Sequence, residues 1–127
     1  MNKEVIQTKN APKVVGAYSQ GIKYNNLIFT SGQIPIDPKT EELVCGDFNL
    51  EIHQALENIG AILDKGGSSF NSVIKVLVFL TDIALFQEVN KIFCQYFPEN
   101  LPARSVVEVA ALPMNARIEI EAIGVIE

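Results

Sequence analysis

Val73-Ile74-Lys75-Val76-Leu77-Val78-Phe79-Leu80 is the stretch on which the architecture turns. A strand with one wet face alternates, whereas this run is apolar at every position but Lys75, as a strand covered on both faces would be. It is far too short for the roughly 20 residues that span a bilayer. Downstream, Asp82 can cap a helix running to about Phe97, which must stop before Pro98. A third strand region, Ala103 to Ala110, follows, and Pro113-Met114-Asn115 turns the chain into Arg117-Ile118-Glu119-Ile120-Glu121-Ala122. That last run alternates strictly, so Ile118, Ile120 and Ala122 are predicted on one face and Arg117, Glu119 and Glu121 on the other. Upstream, Asp47 suits the N-cap of a helix carrying Ile52, Leu56, Ile59 and Leu63 on one stripe and ended by Gly66-Gly67. Pro35, Pro38 and Gly46 mark an irregular stretch before it. Asn25-Asn26, between Gly21–Tyr24 and Leu27–Ser31, predicts a tight hairpin.

This order makes an α+β domain, one mixed β-sheet with two helices that connection handedness places on the same face. The opposite face would then expose part of Leu77, Phe79 and Val106, an apolar patch that a soluble monomer rarely leaves open. A second copy of the chain is expected to cover it, because the N-terminal segment of about fifteen residues is too short to hide a sheet.

The 127 residues carry no linker, repeat or charge block, so residues 1–127 are read as a single domain. Hydrophobic residues are 48% of the chain and charged residues 20%, which excludes a disordered or low-complexity protein. A net charge of -5 offers no general basic field for phosphates, so nucleic acid is not an expected partner, and no membrane span is present. Met1 to Gln7 lacks the apolar core of a signal peptide, and Cys45 and Cys94 stand alone, so free thiols in a cytoplasmic protein are expected.

Dinucleotide, P-loop, serine-elbow and zinc-protease motifs are all missing. His53, the sole histidine, lies beside the apolar stripe of its helix and is read as a solvated position. Arg104 opens an otherwise apolar strand, where an unpaired guanidinium is costly and must find an anion. That anion is either a carboxylate of the fold (Glu108, Glu119 or Glu121) or a substrate carboxylate held by the planar fork, and physics alone leaves the two even. Glu119 could orient a water or shuttle a proton, though alternation by itself favours a solvated surface position. Asn90 shares a stripe with Phe86, Phe93 and Phe97, so its amide must be bonded inward, as a loop clamp or a ligand contact. Tyr18 and Ser31 could each finish a turn, and Gly32 permits a close backbone approach. Neither cysteine has a basic cluster in local sequence, and both are read as inert.

Gly16-Ala17-Tyr18-Ser19-Gln20-Gly21, Thr30-Ser31-Gly32-Gln33-Ile34-Pro35, Pro102-Ala103-Arg104-Ser105-Val106-Val107-Glu108-Val109 and Arg117-Ile118-Glu119-Ile120-Glu121-Ala122 together resemble the RidA (YjgF-like) family of reactive-intermediate deaminases, from about Ala11 onward. The resemblance implies a chorismate-mutase-like fold assembled as a homotrimer, with cofactor-free sites in clefts between subunits. It implies hydrolysis of enamines and imines such as 2-aminoacrylate and 2-iminobutyrate to 2-oxo acids and ammonia. The carboxylate-binding arginine of the family falls on Arg104 and its water-positioning glutamate on Glu119. The pocket tyrosine, serine and asparagine fall on Tyr18, Ser31 and Asn90, with Gly32 beside them. Many members have cysteine where this chain has Val106, which is expected to supply backbone groups and an apolar wall. The alternative is a regulatory trimer that binds small 2-oxo acids without chemistry. Ribonuclease activity, known in some relatives, fits poorly with the net charge.

Overall fold

The computed structural model describes residues 3–127, so Met1 and Asn2, part of the segment read for a signal peptide, lie outside the described residues. The elements in chain order are β1 (Lys3–Ile6), β2 (Gly21–Tyr24), β3 (Leu27–Thr30), β4 (Ile36–Asp37), β5 (Glu42–Leu43), α1 (Phe48–Gly66), β6 (Val73–Leu80), α2 (Phe86–Tyr96), β7 (Ala103–Glu108) and β8 (Ile118–Val125). Six strands form one sheet in the order β1-β2-β3-β8-β6-β7, antiparallel except for the parallel pair β6 and β7, which α2 connects. No helix of the described residues is long and apolar enough to cross a membrane.

Local chemistry sets the boundaries. Asn25 takes φ 54 in the hairpin, a conformation asparagine tolerates. Asp47 accepts from the backbone N–H groups of Asn49 (2.9 Å) and Leu50 (3.4 Å), satisfying donors that the first turn of α1 leaves free. At the other end Gly67 enters the left-handed region with φ 93, and its N–H and that of Ser68 return to the Asp64 and Leu63 carbonyls. Asp82 caps one turn earlier than α2 itself, accepting from the Ala84 N–H in a short 3-10 turn that leads into it.

The buried stripe of α1 (Ile52, Leu56, Ile59 and Leu63) packs on one face of the sheet with Val76, Val78 and Leu80 of β6 and Ile118, Ile120 and Ala122 of β8. Each such fully buried Ile or Leu stabilises by roughly 1.5–3 kcal/mol. Register assigns the other face: Leu77 lies opposite Glu121 and Ser105, and Phe79 opposite Glu119 and Val107. That face continues through Phe29, Ile22 and Val5 on β3, β2 and β1, of which Phe29 and Val5 are exposed.

Several expectations are corrected. Val106 is paired with Val78 and packs toward the helices; the residue open on the far face is Val107, 41% exposed, because one step along a strand reverses the side. Arg117 precedes β8 and does not share a face with Glu119. Its guanidinium turns to the start of α1 and forms a two-pronged pair with buried Glu51, stacked on Phe48. The irregular stretch contains the β4–β5 hairpin, and Lys3–Ile6, for which the sequence reading predicts no strand, extend the sheet edge as β1.

Candidate functional site

A cavity of about 730 Å³ opens between the segment Pro12–Tyr18, the end of β3, β4 and the turn before β8. Its polar side is formed by Ser31, Gly32 and Glu119, and its apolar walls by Val14, Ile34, Ile36, Pro113 and Met114. Buried amides shape it. Gln20 donates to the carbonyls of Thr8, Ala11 and Pro12 and accepts from the Thr8 N–H, which pins the entry segment to the start of β2. Fully buried Asn58 donates to the carbonyls of Ile34 (3.2 Å) and Ile36 (2.9 Å), holding the opposite wall against α1. Ser31 Oγ donates to the Ser19 carbonyl, and the Ser31 N–H to the Gln20 carbonyl at 2.8 Å.

Gln33 and Ile120 exchange two backbone hydrogen bonds, 2.8 and 3.0 Å, and this isolated bridge lays Gly32 against Glu119. A Cβ at Gly32 would overlap Glu119 Oε2 and lie 2.7 Å from Cδ, so glycine is what lets the carboxylate sit there. Burial, with a smaller contribution from the charge of Glu121, raises the Glu119 pKa above its ordinary value. A carboxylate whose proton affinity is raised, at the polar end of an apolar cavity, can accept a proton from a bound water. Met114 and Asn115, the hinge into β8 beside it, both take φ 58, a strained conformation for methionine.

Arg104 sits elsewhere. It is paired with Val76 and therefore leaves edge strand β7 toward the helices, where its Cζ lies 5.4 Å and 5.3 Å from the ring centroids of Phe86 and Phe93 on α2. Its Nη2 donates to Asn90 Oδ1 at 2.8 Å. Burial lowers its pKa from a value so high that it stays charged. Among the described residues no carboxylate forms an ion pair with it. Glu108 is engaged with the Ile83 N–H, and Glu119 and Glu121 belong to the far face.

One chain therefore brings together Tyr18, Ser31, Gly32 and Glu119 in one cavity, and Arg104 with Asn90 in another place, on opposite sides of the sheet. The Val106 side chain belongs to neither group, since it points to the core. Asn90 is bonded inward as expected, but to Arg104 and not to a loop. His53 is half-buried and bonded to the Tyr96 hydroxyl at 2.9 Å rather than freely solvated; burial, then Glu57, pushes that phenol up to about 12. Cys45 and Cys94 are free and exposed. Sequence reading missed Gln20 and Asn58, although a carboxamide on the otherwise apolar face of α1 was a signal for Asn58. It read Phe86 and Phe93 only as core, although their spacing about Asn90 already faced them to a common neighbour.

The family model described as endoribonuclease L-PSP matches residues 8–126. A RutC family protein of Pyrococcus horikoshii is 55% identical over 122 residues, 96% of this chain and 97% of that protein. The 2-iminobutanoate/2-iminopropanoate deaminase of Rattus norvegicus is 49% identical over 123 residues, 97% of this chain and 90% of that one. The crystal structure of E. coli TdcF with bound serine superposes with a TM-score of 0.93 at 39% identity, covering 98% of this chain and 99% of that one.

Proposed function

The chain belongs to the RidA (YjgF-like) family, and from that premise we propose that it hydrolyses small reactive 2-imino acids and their enamine tautomers to 2-oxo acids and ammonia. Relatives at 46–49% identity carry deaminase names, which supports this reaction class. One observation carries the assignment: a partly buried guanidinium with no carboxylate partner among the described residues, in a protein that also turns a half-buried glutamate of raised pKa into a cavity. An arginine left in that state is matched by an anion from outside the chain.

In the proposed site Arg104 grips the substrate carboxylate through its fork, with Asn90 against one nitrogen. Glu119 takes a proton from water as the oxygen bonds to C2 of the N-protonated imine and the C=N π electrons move to nitrogen, giving a tetrahedral carbinolamine. Glu119 returns that proton to the nitrogen and then accepts the proton of the carbinolamine hydroxyl as the C2=O bond forms, the C2–N bond breaks and ammonia leaves, so that the 2-oxo acid remains. The imine is already electrophilic, so positioning supplies most of the effect and no cofactor is called for. Tyr18, Ser31 and Gly32 border the reacting carbon, while Val106 has neither thiol nor side chain to offer. Because a single chain holds Arg104 and Glu119 on opposite sides of its sheet, the site is completed between copies. The proposed assembly is a chorismate-mutase-like homotrimer in the cytoplasm, its open apolar faces turned inward.

The test generates 2-iminobutyrate with an amino-acid oxidase in the presence of semicarbazide and follows semicarbazone formation. Wild type should suppress the adduct, Arg104→Ala should not while remaining assembled, and Arg104→Lys should recover little because it lacks the fork. Full suppression by Arg104→Ala would sink the mechanism. Binding of 2-oxobutyrate without any suppression would instead establish a regulatory binding protein.

A further inference from the structure

The fold holds Arg104 in an unusual way for a partly buried cation. The usual partner is a carboxylate, which would fix the guanidinium but also fill its fork. Here the attraction comes from two aromatic faces. Phe86 and Phe93 are seven residues apart on α2, about 10.5 Å along a helix axis. Arg104 Cζ lies over both rings, 5.4 and 5.3 Å from their centroids, so the two rings share one guanidinium. Asn90, midway between them on the same helix face, takes one hydrogen of Nη2 and limits rotation of the plane. Among the described residues, Nε and Nη1 have no acceptor.

We propose that Phe86 and Phe93 are positioning residues for carboxylate recognition: their ring faces hold the Arg104 guanidinium charged and in place while leaving its donors free for the substrate. This rests on the carboxylate-anchoring role of Arg104 proposed above and adds how that anchor is kept both fixed and vacant. Stacking is a property of the planar guanidinium, so the device also makes lysine a poor substitute. Aromatic faces carry no formal charge and cannot compete with the incoming carboxylate.

Phe86 is the residue to vary, because it is half-buried at the first position of α2, whereas Phe93 is a core residue whose loss would disturb folding. The experiment compares wild type, Phe86→Leu, Phe86→Tyr and Arg104→Ala in the assembled full-length protein. It reads the Kd for 2-oxobutyrate by calorimetry, KM and kcat on 2-iminobutyrate, and the Arg104 Nε–H resonance. Phe86→Leu should raise Kd and KM about tenfold with kcat nearly unchanged, as expected when one desolvated cation–π contact is removed from a ground-state anchor. Its Arg104 resonance should lose ring-current displacement. Phe86→Tyr, which keeps the ring face, should restore both. If Arg104→Ala abolishes binding but Phe86→Leu matches wild type, or if tyrosine fails to rescue a folded protein, the positioning role is overturned and the anchor stands. If Arg104→Ala binds 2-oxobutyrate as well as wild type, the anchor itself falls and the positioning role with it.

Discussion

Gly32→Ala separates the position of Glu119 from its presence. The added methyl would overlap Glu119 Oε2 and lie 2.7 Å from Cδ and 3.0 Å from Cγ. Restoring an ordinary contact of about 3.4 Å requires Cδ to retreat by roughly 0.7 Å and the carboxylate oxygen, which starts nearer, by about 1 Å. Gly32 does not occupy the left-handed region, and the clashing atoms are the end of a flexible side chain, so the carboxylate yields before the backbone does. Folding should be little affected, with a cost under about 1 kcal/mol. Catalysis should not escape, since a displacement of about 1 Å in a proton-transferring group can cost ~100-fold in rate, near 2.7 kcal/mol of barrier. The assay is initial-rate suppression of semicarbazone formation beside a thermal melt and a sizing measurement. A variant that melts and assembles like wild type yet loses about two orders of magnitude in kcat supports the placement. Wild-type activity in that same folded variant would refute the claim that Glu119 acts from the spot Gly32 clears for it.

Glu119 also sets a pH dependence. Its folded-state pKa lies above the ordinary value of 4.5, so the acid limb of kcat/KM should have its midpoint above 4.5, and Glu121→Gln, by removing a charge that contributes to the shift, should move that midpoint downward. An unmoved limb would show that another group titrates. Because the folded chain binds this proton more tightly than the unfolded one, the associated stability is full below pH 4.5 and is lost as pH rises through the folded pKa. Glu119→Gln should therefore melt higher than wild type at neutral pH, with the gap closing toward pH 4, while activity disappears. Arg117→Ala should leave buried Glu51 without its partner and destabilise by about 3 kcal/mol, a fall in Tm near 10 °C. Adding Glu51→Gln should return part of it, and a melt unchanged by Arg117→Ala would show the pair to be dispensable.

Much of the fold was legible because the elements that matter carry strong periodic signals and explicit caps. The β6 run, the α1 stripe between Asp47 and Gly67, and the β8 alternation all fall where their residues predict. The failures are of two kinds. Short segments such as β1 and the β4–β5 hairpin owe their pairing to neighbours distant in sequence, and a four-residue or two-residue window holds no period to read. Face assignment failed at Val106 and Arg117, where the outcome depends on register and on where the strand begins. The polar cavity residues were nameable from local motifs. What no local pattern contained was the sheet lying between Arg104 and Glu119, because register across β7, β6 and β8 decides it.

That separation governs how altered chains would combine. In the proposed ring, each cleft draws its anion grip from one subunit and its proton acceptor from the neighbour, so a damaged subunit harms its neighbours' clefts according to which half it lacks. A chain defective only at Arg104 silences the cleft on one side and still serves the other through Glu119. A chain defective at both silences the clefts on either side of it. Two separately inactive proteins, one altered at each residue, would on exchanging subunits create some clefts in which both intact halves meet.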